Sequence, residues 1–447
     1  MNDAHDRFLD TLPAGWRFDR FKDVVTLRNE KTDESSSEED YLELDDLESG
    51  SGRILSRRNT LEVGSAVTLF KKGDVLFGKL RPYLEKYWVA EFDGKCTGEI
   101  LAFKPQRIAG RFLFYCLGSR WFIERCSALA YGAKMPRVSW PTQLSQFNFP
   151  LPPLPEQQRI AAYLDASCAA IDAAVAAKRR QLEALDEIRK SAAHQVLSEG
   201  LRPGLPLKDS GIESIGVIPA HWDVKQIRYA CEVNYGITLQ LEKGQSVGDG
   251  VRILTVSNLT IDGNLDLEDE YYINPAELAT ADYLRRGDLL FNWRNGSQYH
   301  VGKTAFFDME GEVAQVSFLL RIRCGRHMDP FFLRSYLGIL KDVGFFSGAK
   351  DKVNKTFNSS ELKRLRVVVP PRDEQKEICA EIERRTKECN AVKAAIEKQI
   401  STLTAYRKSL IHECVTGQRR ITEAEVRHTI SQIAKPTGTG QREETHA

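Results

Sequence analysis

The sequence predicts an α+β protein in which two mixed α/β domains are separated by two long antiparallel helices that form an intramolecular coiled coil. One observation is an internal repeat, because Pro152-Pro153-Leu154-Pro155-Glu156-Gln157 returns as Pro370-Pro371-Arg372-Asp373-Glu374-Gln375. Another is that each copy opens a stretch with helical apolar spacing. Each stretch also follows a region of short apolar runs between turns. Two copies of one unit predict pseudo-two-fold symmetry.

The repeat is strongest in its second half. Arg189-Lys190-Ser191 with His194 returns as Arg407-Lys408-Ser409 with His412, and the same offset of 218 residues relates both motif pairs. Between 152–199 and 370–417, 15 of 48 positions are identical, about five times the chance level for average composition. Upstream pieces match with offsets that start at 206, so the front part of each copy has diverged.

The front parts, about 13–150 and 219–369, have the pattern of mixed α/β domains. Apolar runs between Gly, Asp and Asn turns predict strands. Amphipathic spacing predicts helices. The predicted strands include 75–77, 100–103 and 318–322, and the predicted helices are 111–126 and 330–340.

The back parts, 156–198 and 374–416, predict long helices with few Gly or Pro residues. Pro155 suits a first helical turn, and the acid after it suits the positive end of the helix dipole. Apolar residues at three- and four-residue spacings predict a coiled-coil seam. The seam consists of Ile160, Leu164, Ile171, Ala174, Leu185, Ile188 and Ala192 in the first copy, and Ile378, Ile382, Cys389, Val392, Ile396, Leu403, Tyr406 and Leu410 in the second. Each helix would be on the order of 60 Å long, and antiparallel pairing would hold the front domains at opposite ends.

These patterns divide the chain into six segments. They are 1–150 (first α/β domain with the N-terminal segment), 151–200 (first helix), 201–218 (linker), 219–369 (second α/β domain), 370–420 (second helix) and 421–447 (polar tail).

The composition is that of a globular protein, with 447 residues, 42% hydrophobic and 28% charged. No uninterrupted apolar run reaches the roughly 18–20 residues that span a bilayer. The polar start Met1–Arg7 does not resemble a signal peptide. Nine scattered cysteines without a C-x-x-C pair favour reduced thiols. We therefore expect a cytoplasmic protein without membrane contact.

A net charge of +1 conceals an uneven distribution. Residues 30–50 hold ten acids and one base, whereas residues 51–150 hold 16 Lys or Arg and 7 Asp or Glu, a local net of +9. The basic region predicts a nucleic-acid partner. We interpret the acidic run as a solvated loop, with a DNA mimic as the alternative.

The sequence has no recognisable catalytic or metal site. Residues 296–304 resemble a phosphate-binding loop, but the first glycine lies one residue too early and a strand follows. Glu374-Gln375-Lys376 resembles the end of a nuclease motif, but its counterpart Glu156-Gln157-Gln158 lacks the lysine. The eight histidines have no ligand spacing. We therefore expect a non-catalytic protein that binds no cofactor or metal.

Basic and aromatic clusters recur at corresponding places in the two front parts, which favours function over ordinary loops. Arg, Lys, Asn and Gln can read base edges, and Ser, Thr and backbone amides hold phosphates. The candidate DNA-binding residues are Lys79, Arg81, Tyr83, Lys134 and Arg137 in the first part, and Trp293, Arg294, Asn295, Gln298, Tyr299, Lys350, Lys352, Asn354 and Lys355 in the second.

With these motifs, the chain resembles the specificity subunits of type I restriction–modification systems over about 12–420. The Pro-Pro-x-x-Glu-Gln helix starts, the helix ends in Arg-Lys-Ser, the linker 208–222 and the segment 73–83 carry the resemblance. The acidic, serine-rich loop at 32–40 departs from the family, as does Ser214, where the family usually has tryptophan.

The resemblance implies that each front domain is a target-recognition domain for one half of a split, asymmetric site in double-stranded DNA. The helices would set the gap and dock two methyltransferase subunits, with motor–nuclease subunits as further partners. S-adenosylmethionine, ATP and Mg would be bound by those partners. Candidate residues for the helix frame and partner contact are Glu156, Gln157, Arg189, His194, Glu374, Gln375, Arg407 and His412. The alternative is a coiled-coil scaffold that does not read DNA.

Overall fold

The computed structural model describes residues 12–32, 40–59, 67–238, 250–260, 263–279, 283–295, 300–347 and 355–434. The helices within these ranges are α1 (Phe21–Val24), α2 (Gly110–Leu117), α3 (Arg120–Leu129), α4 (Leu154–Glu199), α5 (Ile227–Ala230), α6 (Pro330–Asp342), α7 (Ser359–Arg364), α8 (Arg372–Val415) and α9 (Glu423–Ala434).

The strands are short, as turn-rich apolar runs predict. They are β1 (Arg17–Arg20), β2 (Val25–Leu27), β3 (Lys31–Thr32), β4 (Asp40–Leu42), β5 (Arg58–Asn59), β6 (Val67–Phe70), β7 (Val75–Gly78), β8 (Tyr87–Val89), β9 (Gly94–Cys96), β10 (Ile100–Pro105), β11 (Asn148–Leu151), β12 (Leu207–Asp209), β13 (Val217–Pro219), β14 (Asp223–Gln226), β15 (Cys231–Tyr235), β16 (Val251–Leu254), β17 (Tyr271–Ile273), β18 (Leu289–Asn292), β19 (Arg294–Asn295), β20 (Thr304–Phe306), β21 (Val313–Gln315), β22 (Leu319–Cys324), β23 (Lys355–Thr356) and β24 (Arg366–Val369).

The chain forms two compact units, and each is assembled from distant parts of the sequence. Unit 1 contains the described residues up to Arg179 and from Ile396 onward, and unit 2 contains those of Arg180–Ala395. Each long helix contributes one part to each unit.

In unit 1 a four-stranded sheet has the order β2-β10-β7-β8, and a five-stranded sheet has the order β3-β6-β9-β4-β5. The first sheet is antiparallel, with Leu101 opposite Phe77. An aromatic core of Phe21, Phe103, Phe122 and Phe149 lies against it, with Phe21 and Phe149 stacked 4.8 Å apart between ring centroids. Mixed α/β structure is therefore confirmed for the first front part.

Unit 2 repeats this plan. Its four-stranded sheet has the order β15-β22-β18-β20, with Leu320 opposite Phe291, and a second sheet has the order β17-β16-β21. A parallel pair occurs at the matching place, β4 with β9 in unit 1 and β16 with β21 in unit 2. The fold of the front part has therefore been kept while its sequence diverged.

The long helices run antiparallel, as predicted. In unit 1 the first half of α4 meets the last turns of α8, where Ile160 and Leu164 share a core with Leu410. In unit 2 the second half of α4 meets the first half of α8, where Lys393 Nζ lies 3.3 Å from Asp186 Oδ2.

Three residues of the predicted seam are exposed, whereas Ile396, near the middle of α8, is buried as predicted. The side chains of Ile188, Val392 and Tyr406 are 61%, 49% and 50% exposed. Burial is instead concentrated where a helix also packs on a domain core, as at Ile171 in unit 1 and Leu197 in unit 2. The heptad pattern identified one apolar face, but it could not tell which part of that face is covered.

Two local predictions also need correction. The helix expected at 111–126 is broken into α2 and α3, because Gly118 ends the first and Ser119 Oγ caps the second by accepting from Phe122 N at 3.4 Å. The segment expected to be a polar tail contains α9, and Ile421 just before α9 is buried in the core of unit 1.

The acidic segment is partly structural. Asp46 is fully buried, and its Oδ1 accepts from Arg58 Nε at 2.9 Å. Glu43 also accepts from Arg58, at 2.7 Å. A solvated loop is therefore the wrong interpretation of 40–48, because these acids neutralise nearby arginines. Residues 33–39 lie outside the described residues.

One 18-residue window of α4 reaches a mean hydropathy of 1.5, which is apolar enough by length and composition for a membrane span. Its packing in unit 1 is that of a core helix. Ile160, Leu164 and Ile171 lie in the domain core, and Asp165 accepts from Tyr115 Oη at 2.7 Å.

The repeated Glu-Gln pair fastens each long helix to its domain. Gln157 Oε1 accepts from Ala109 N at 2.7 Å, just before α2, while its Nε2 donates to Pro152 O at 2.9 Å. Gln375 Oε1 accepts from Asp329 N at 2.7 Å, just before α6, and its Nε2 donates to Pro370 O at 2.8 Å. Both glutamines are buried, so each amide needs these backbone partners.

We predict that Gln375→Ala lowers the stability of the chain by about 3 kcal/mol, because it leaves buried backbone donors and acceptors without partners. Gln399→Ala, at an exposed position of the same helix, is the matched control and should change stability by less than about 0.5 kcal/mol. Urea unfolding followed by circular dichroism measures both. Equal effects of the two substitutions would contradict this role.

Candidate nucleic-acid interface

In unit 1 the structure brings the two predicted clusters together. Leu80, next to Lys79, forms an antiparallel bridge with Arg137, and Val138 N donates to Lys79 O at 3.0 Å. Arg81 N donates to Pro136 O at 2.7 Å, and its guanidinium donates to Lys134 O at 3.1 Å. The segments 79–83 and 134–137 therefore form one surface, which we call surface 1.

Surface 1 contains a strained backbone. Arg81 and Glu85 have φ of 49° and 51°, a left-handed conformation that is uncommon for residues other than glycine. They bracket a short 3-10 turn that presents Tyr83, which is 54% exposed. Strain of this kind concentrates at ligand-binding sites, where the surrounding contacts maintain it.

The bases of surface 1 differ in availability. Arg137 contacts both oxygens of Glu99, at 2.9 and 3.2 Å, and this hydrogen bond raises the pKa of Arg137. Lys134 is exposed and Lys79 is half-buried. Neither ammonium has a hydrogen bond or ion pair with another described residue. Lys79 and Lys134 can therefore meet phosphates directly, while Arg137 is held in a fixed orientation.

Unit 2 has the same arrangement, built from different residues. Strand β19, which begins at Arg294, pairs with β23, with Arg294 opposite Thr356 and Asn295 opposite Lys355. The Trp293 indole donates to Ser317 O at 2.7 Å, and its ring meets Tyr235 edge-on with centroids 5.4 Å apart. The Arg294 guanidinium lies 5.8 Å from the ring centroid of Phe318. We call these residues surface 2.

Several predicted residues of the second part fall outside the described residues. They are Gln298, Tyr299, Lys350, Lys352 and Asn354. Asn295 and Lys355 are placed by their backbone in β19 and β23. Their roles, like those of the other candidate DNA contacts, stay predictions.

Sequence reasoning missed three exposed aromatic residues of these surfaces. Tyr131, 63% exposed, bridges Arg137 in surface 1. Tyr235 and Phe318, 45% and 46% exposed, flank Trp293 and Arg294 in surface 2. None of the three belongs to a basic motif, so a motif search does not find them. Exposed aromatic rings beside lysine and arginine side chains are suited to contact nucleotides.

The candidate residues of the helices are mostly engaged within the chain. Glu156 pairs with Arg420 at 3.0 Å, and Glu374 accepts from the Trp222 indole at 2.9 Å. Arg407 is buried and lies 3.2 Å from Asp172. His194 Nε2 lies 2.9 Å from Ser214 O. His412 is half-buried, and its backbone carbonyl accepts from Thr416 N at 3.0 Å. Glu374, Arg407 and His194 thus connect the helices to other parts of the chain, the bond given for His412 lies at the end of its own helix, and Arg189 lines a cavity.

Chemistry on bound groups has little support in the described ranges. Within them, no three His, Cys, Asp or Glu residues are grouped so that they could hold a metal ion. The features that recur in both units are surfaces of basic and aromatic side chains.

Two surfaces with basic and aromatic side chains, at the same place in a repeated fold, are typical of a protein that reads DNA. Consistent with this, residues 13–184 match the family described as the type I restriction modification DNA specificity domain. The predicted resemblance to type I specificity subunits is therefore confirmed, and residues 13–184 are the part of the chain that is similar to the DNA specificity domain.

Curated proteins with similar sequences are also type I specificity subunits. The specificity subunit of the type I restriction enzyme EcoKI of Escherichia coli K12 is 25% identical over 88% of this chain and 86% of its own length. The EcoDI subunit of E. coli is 28% identical over 36% of each chain. The putative MjaX subunit of Methanocaldococcus jannaschii is 28% identical over 45% of this chain. The chain thus spans only 36% and 47% of the EcoDI and MjaX relatives.

Solved structures share the fold. A chain from a structure on complex assembly and conformational transition of the type I R-M system superposes with a TM-score of 0.73 and 20% identity, over 92% of this chain and all of that chain. The HsdS subunit from Thermoanaerobacter tengcongensis gives a TM-score of 0.51 and 20% identity, over 91% of this chain and 98% of its own.

We predict that Glu374 makes the stability of the chain depend on pH in the acid range. Burial raises the pKa of Glu374, but hydrogen bonds from Trp222 and His221 outweigh it and lower the pKa below the ordinary 4.5. The ionised carboxylate therefore stabilises the fold above about pH 4.5, and this contribution is lost as the pH falls below that value.

Glu374→Gln should make the midpoint temperature of thermal unfolding depend less on pH between about pH 3 and 5. Glu397→Gln, at an exposed position of the same helix, should leave the slope unchanged. Identical pH profiles for wild type and Glu374→Gln would contradict the assignment.

Proposed function

We propose that the chain is the DNA-reading subunit of a type I restriction–modification complex and binds an asymmetric, bipartite target with one half-site for each unit. The observation that carries this proposal is that surfaces 1 and 2 occupy the same place in the repeated fold but have unlike side chains. Lys79, Arg81 and Tyr83 in one unit correspond to Trp293 and Arg294 in the other. Two domains with the same fold but different surface side chains would bind two different DNA sequences.

The chemistry of the surfaces supports direct contact with duplex DNA. Lysine ammonium groups and arginine forks neutralise phosphates and read guanine edges, and aromatic rings contact sugars and bases. Glu99 orients Arg137 by a two-oxygen contact, which keeps the guanidinium in one position before DNA arrives. A pre-oriented arginine loses less side-chain entropy on binding.

The helices support a second role, which is to recruit partners. Ile188 and Val392 in unit 2 and Tyr406 in unit 1 expose apolar surface on the long helices. Exposed apolar side chains on a long helix are suited to contact protein partners. We propose that two adenine-methyltransferase subunits dock there, with motor–nuclease subunits as further partners, in the cytoplasm.

In this proposal the chain itself is not an enzyme. S-adenosylmethionine, ATP and Mg would be bound by the partner subunits. The rival scaffold function shares the helices but gives no reason for the bases and aromatic rings of surfaces 1 and 2.

We predict that exchanging residues 219–369 for the equivalent domain of another specificity subunit changes one half of the methylated motif and leaves the other half unchanged. The chain is expressed with its methyltransferase subunit, and the adenine methylation of host DNA is sequenced. A change in both halves would refute the assignment of one half-site to each unit. No methylation pattern with either chain would favour the scaffold.

We also predict that Lys79→Ala and Lys134→Ala weaken DNA binding across all sequences. Each should lower the slope of log affinity against log salt by about one, because one phosphate contact is lost. Lys104→Ala, which removes an exposed lysine of unit 1 outside surface 1, is the control. Filter binding by the complex with its methyltransferase subunit measures all three. Equal slopes for every variant would exclude these lysines from the DNA contact.

A further inference from the structure

Unit 2 contains a cavity of about 530 Å³ between the long helices, α6 and the loop before β20. Six basic side chains and the two carboxylates Asp186 and Asp342 line it, a net charge of +4 for the lining. Lys393 pairs with Asp186, and Lys190 pairs with Glu187 beside the cavity at 2.9 Å. The bases are Arg189, Lys190, Lys303, Arg334, Lys341 and Lys393. All lie within unit 2, and none belongs to surface 2.

The internal repeat explains why the cavity exists. Arg189 corresponds to Arg407 of unit 1 by the offset of 218 residues. In unit 1 this arginine is buried, lies 3.2 Å from Asp172 and donates to Gly50 O at 3.3 Å. Tyr87 Oη donates to the same carbonyl at 3.1 Å. The unit 1 position is therefore closed by its own side chains.

Unit 2 keeps the frame of this position. Lys86 of unit 1 donates to Leu47 O, and its counterpart Lys303 donates to Leu259 O at 3.2 Å. Strand pairing places Tyr87 opposite Phe77 and Thr304 opposite Phe291, so Thr304 is the counterpart of Tyr87.

The side chains that fill the frame in unit 1 are absent from unit 2. The residues before α2 and α6, Ala109 and Asp329, both bond the repeated glutamine, which aligns the two helices. Phe114 and Tyr115 then correspond to Arg334 and Ser335. Three aromatic residues are thus replaced by Thr304, Arg334 and Ser335. The carboxylate Asp172 is replaced by Asn390.

These replacements leave positive charge in the cavity as well as empty volume. Arg189 has no ion pair with another described residue, because Asn390 stands where unit 1 has an aspartate. Lys303 is 7% exposed, and burial together with the nearby Lys341 lowers its pKa. Burial also lowers the pKa of Arg334. Cations that are partly removed from water favour an anion beside them.

We propose that this cavity binds a small polyanion that carries two or more phosphate groups. A cavity of this size is in the range of small-molecule sites and is larger than a single phosphate requires. Arginine forks and lysine ammonium groups are the usual ligands of phosphate oxygens. The sugar–phosphate backbone of a DNA duplex is a less suitable occupant, because the lysine and arginine side chains line a recess formed by several elements.

The test is titration calorimetry of the full-length chain with tripolyphosphate and with ATP, without DNA, at an ionic strength of about 0.15 M. We expect saturable binding at one site. Asn390→Asp restores the carboxylate of unit 1 at an exposed position and should weaken binding about tenfold or more, as should Arg189→Gln. Ser360→Asp adds the same charge at an exposed position of unit 2 away from the cavity and should change affinity less than about twofold. Thermal melting checks that each variant is folded.

Absence of saturable binding would overturn the proposal, as would unchanged affinity in Asn390→Asp. If duplex DNA or the methyltransferase subunit displaces tripolyphosphate competitively, the cavity belongs to a macromolecular interface and the small-anion proposal is also overturned. Because the titration uses no DNA, its result is independent of the bipartite reading of DNA.

Discussion

The structure depends on one buried interaction that occurs twice: a glutamine amide at the start of each long helix bonds the backbone in front of a domain helix. Gln157 and Gln375 are buried, and each satisfies a backbone N–H and a carbonyl. Because such groups cost about 1–3 kcal/mol when unpaired, the side chain can hardly vary. Each domain is thereby fixed to its helix in the same way, which makes the two units comparable position by position.

A fixed frame allows the rest of each unit to differ. Surfaces 1 and 2 arise from the same strand pairing, yet one presents Lys79 and Lys134 and the other Trp293 and Arg294. The interior shows the same freedom. Arg407 is neutralised by Asp172 and enclosed by aromatic residues, whereas Arg189 faces a cavity with other bases. Divergence on a common frame has therefore altered both the outer surfaces and one internal site.

The helix pair shows how far periodicity can be trusted. The spacing of apolar residues identified both helices, because a 3.6-residue period places them on one face of a helix. The two-fold relation of the repeat predicted their antiparallel pairing. The spacing failed at Ile188, Val392 and Tyr406, which are exposed. Apolar spacing defines a face, but coverage of that face depends on which neighbour reaches it. The ion pairs of Asp46 were missed for a related reason, since tertiary packing brings Arg58 to them. The break at Gly118–Ser119 was missed although its signals, a glycine followed by a capping serine, are local.

The sequence by itself determined the repeat, the mixed α/β class of the domains, the two long helices and the family resemblance. These follow from local spacing and from motifs that recur at a constant offset. Only the tertiary structure decided that each unit contains one end of each long helix. It also decided that residues 79–83 meet 134–137, and that Tyr131, Tyr235 and Phe318 join the surfaces. The physical reason is that strand pairing and burial join residues far apart in the chain, and their energies are not expressed in any local pattern.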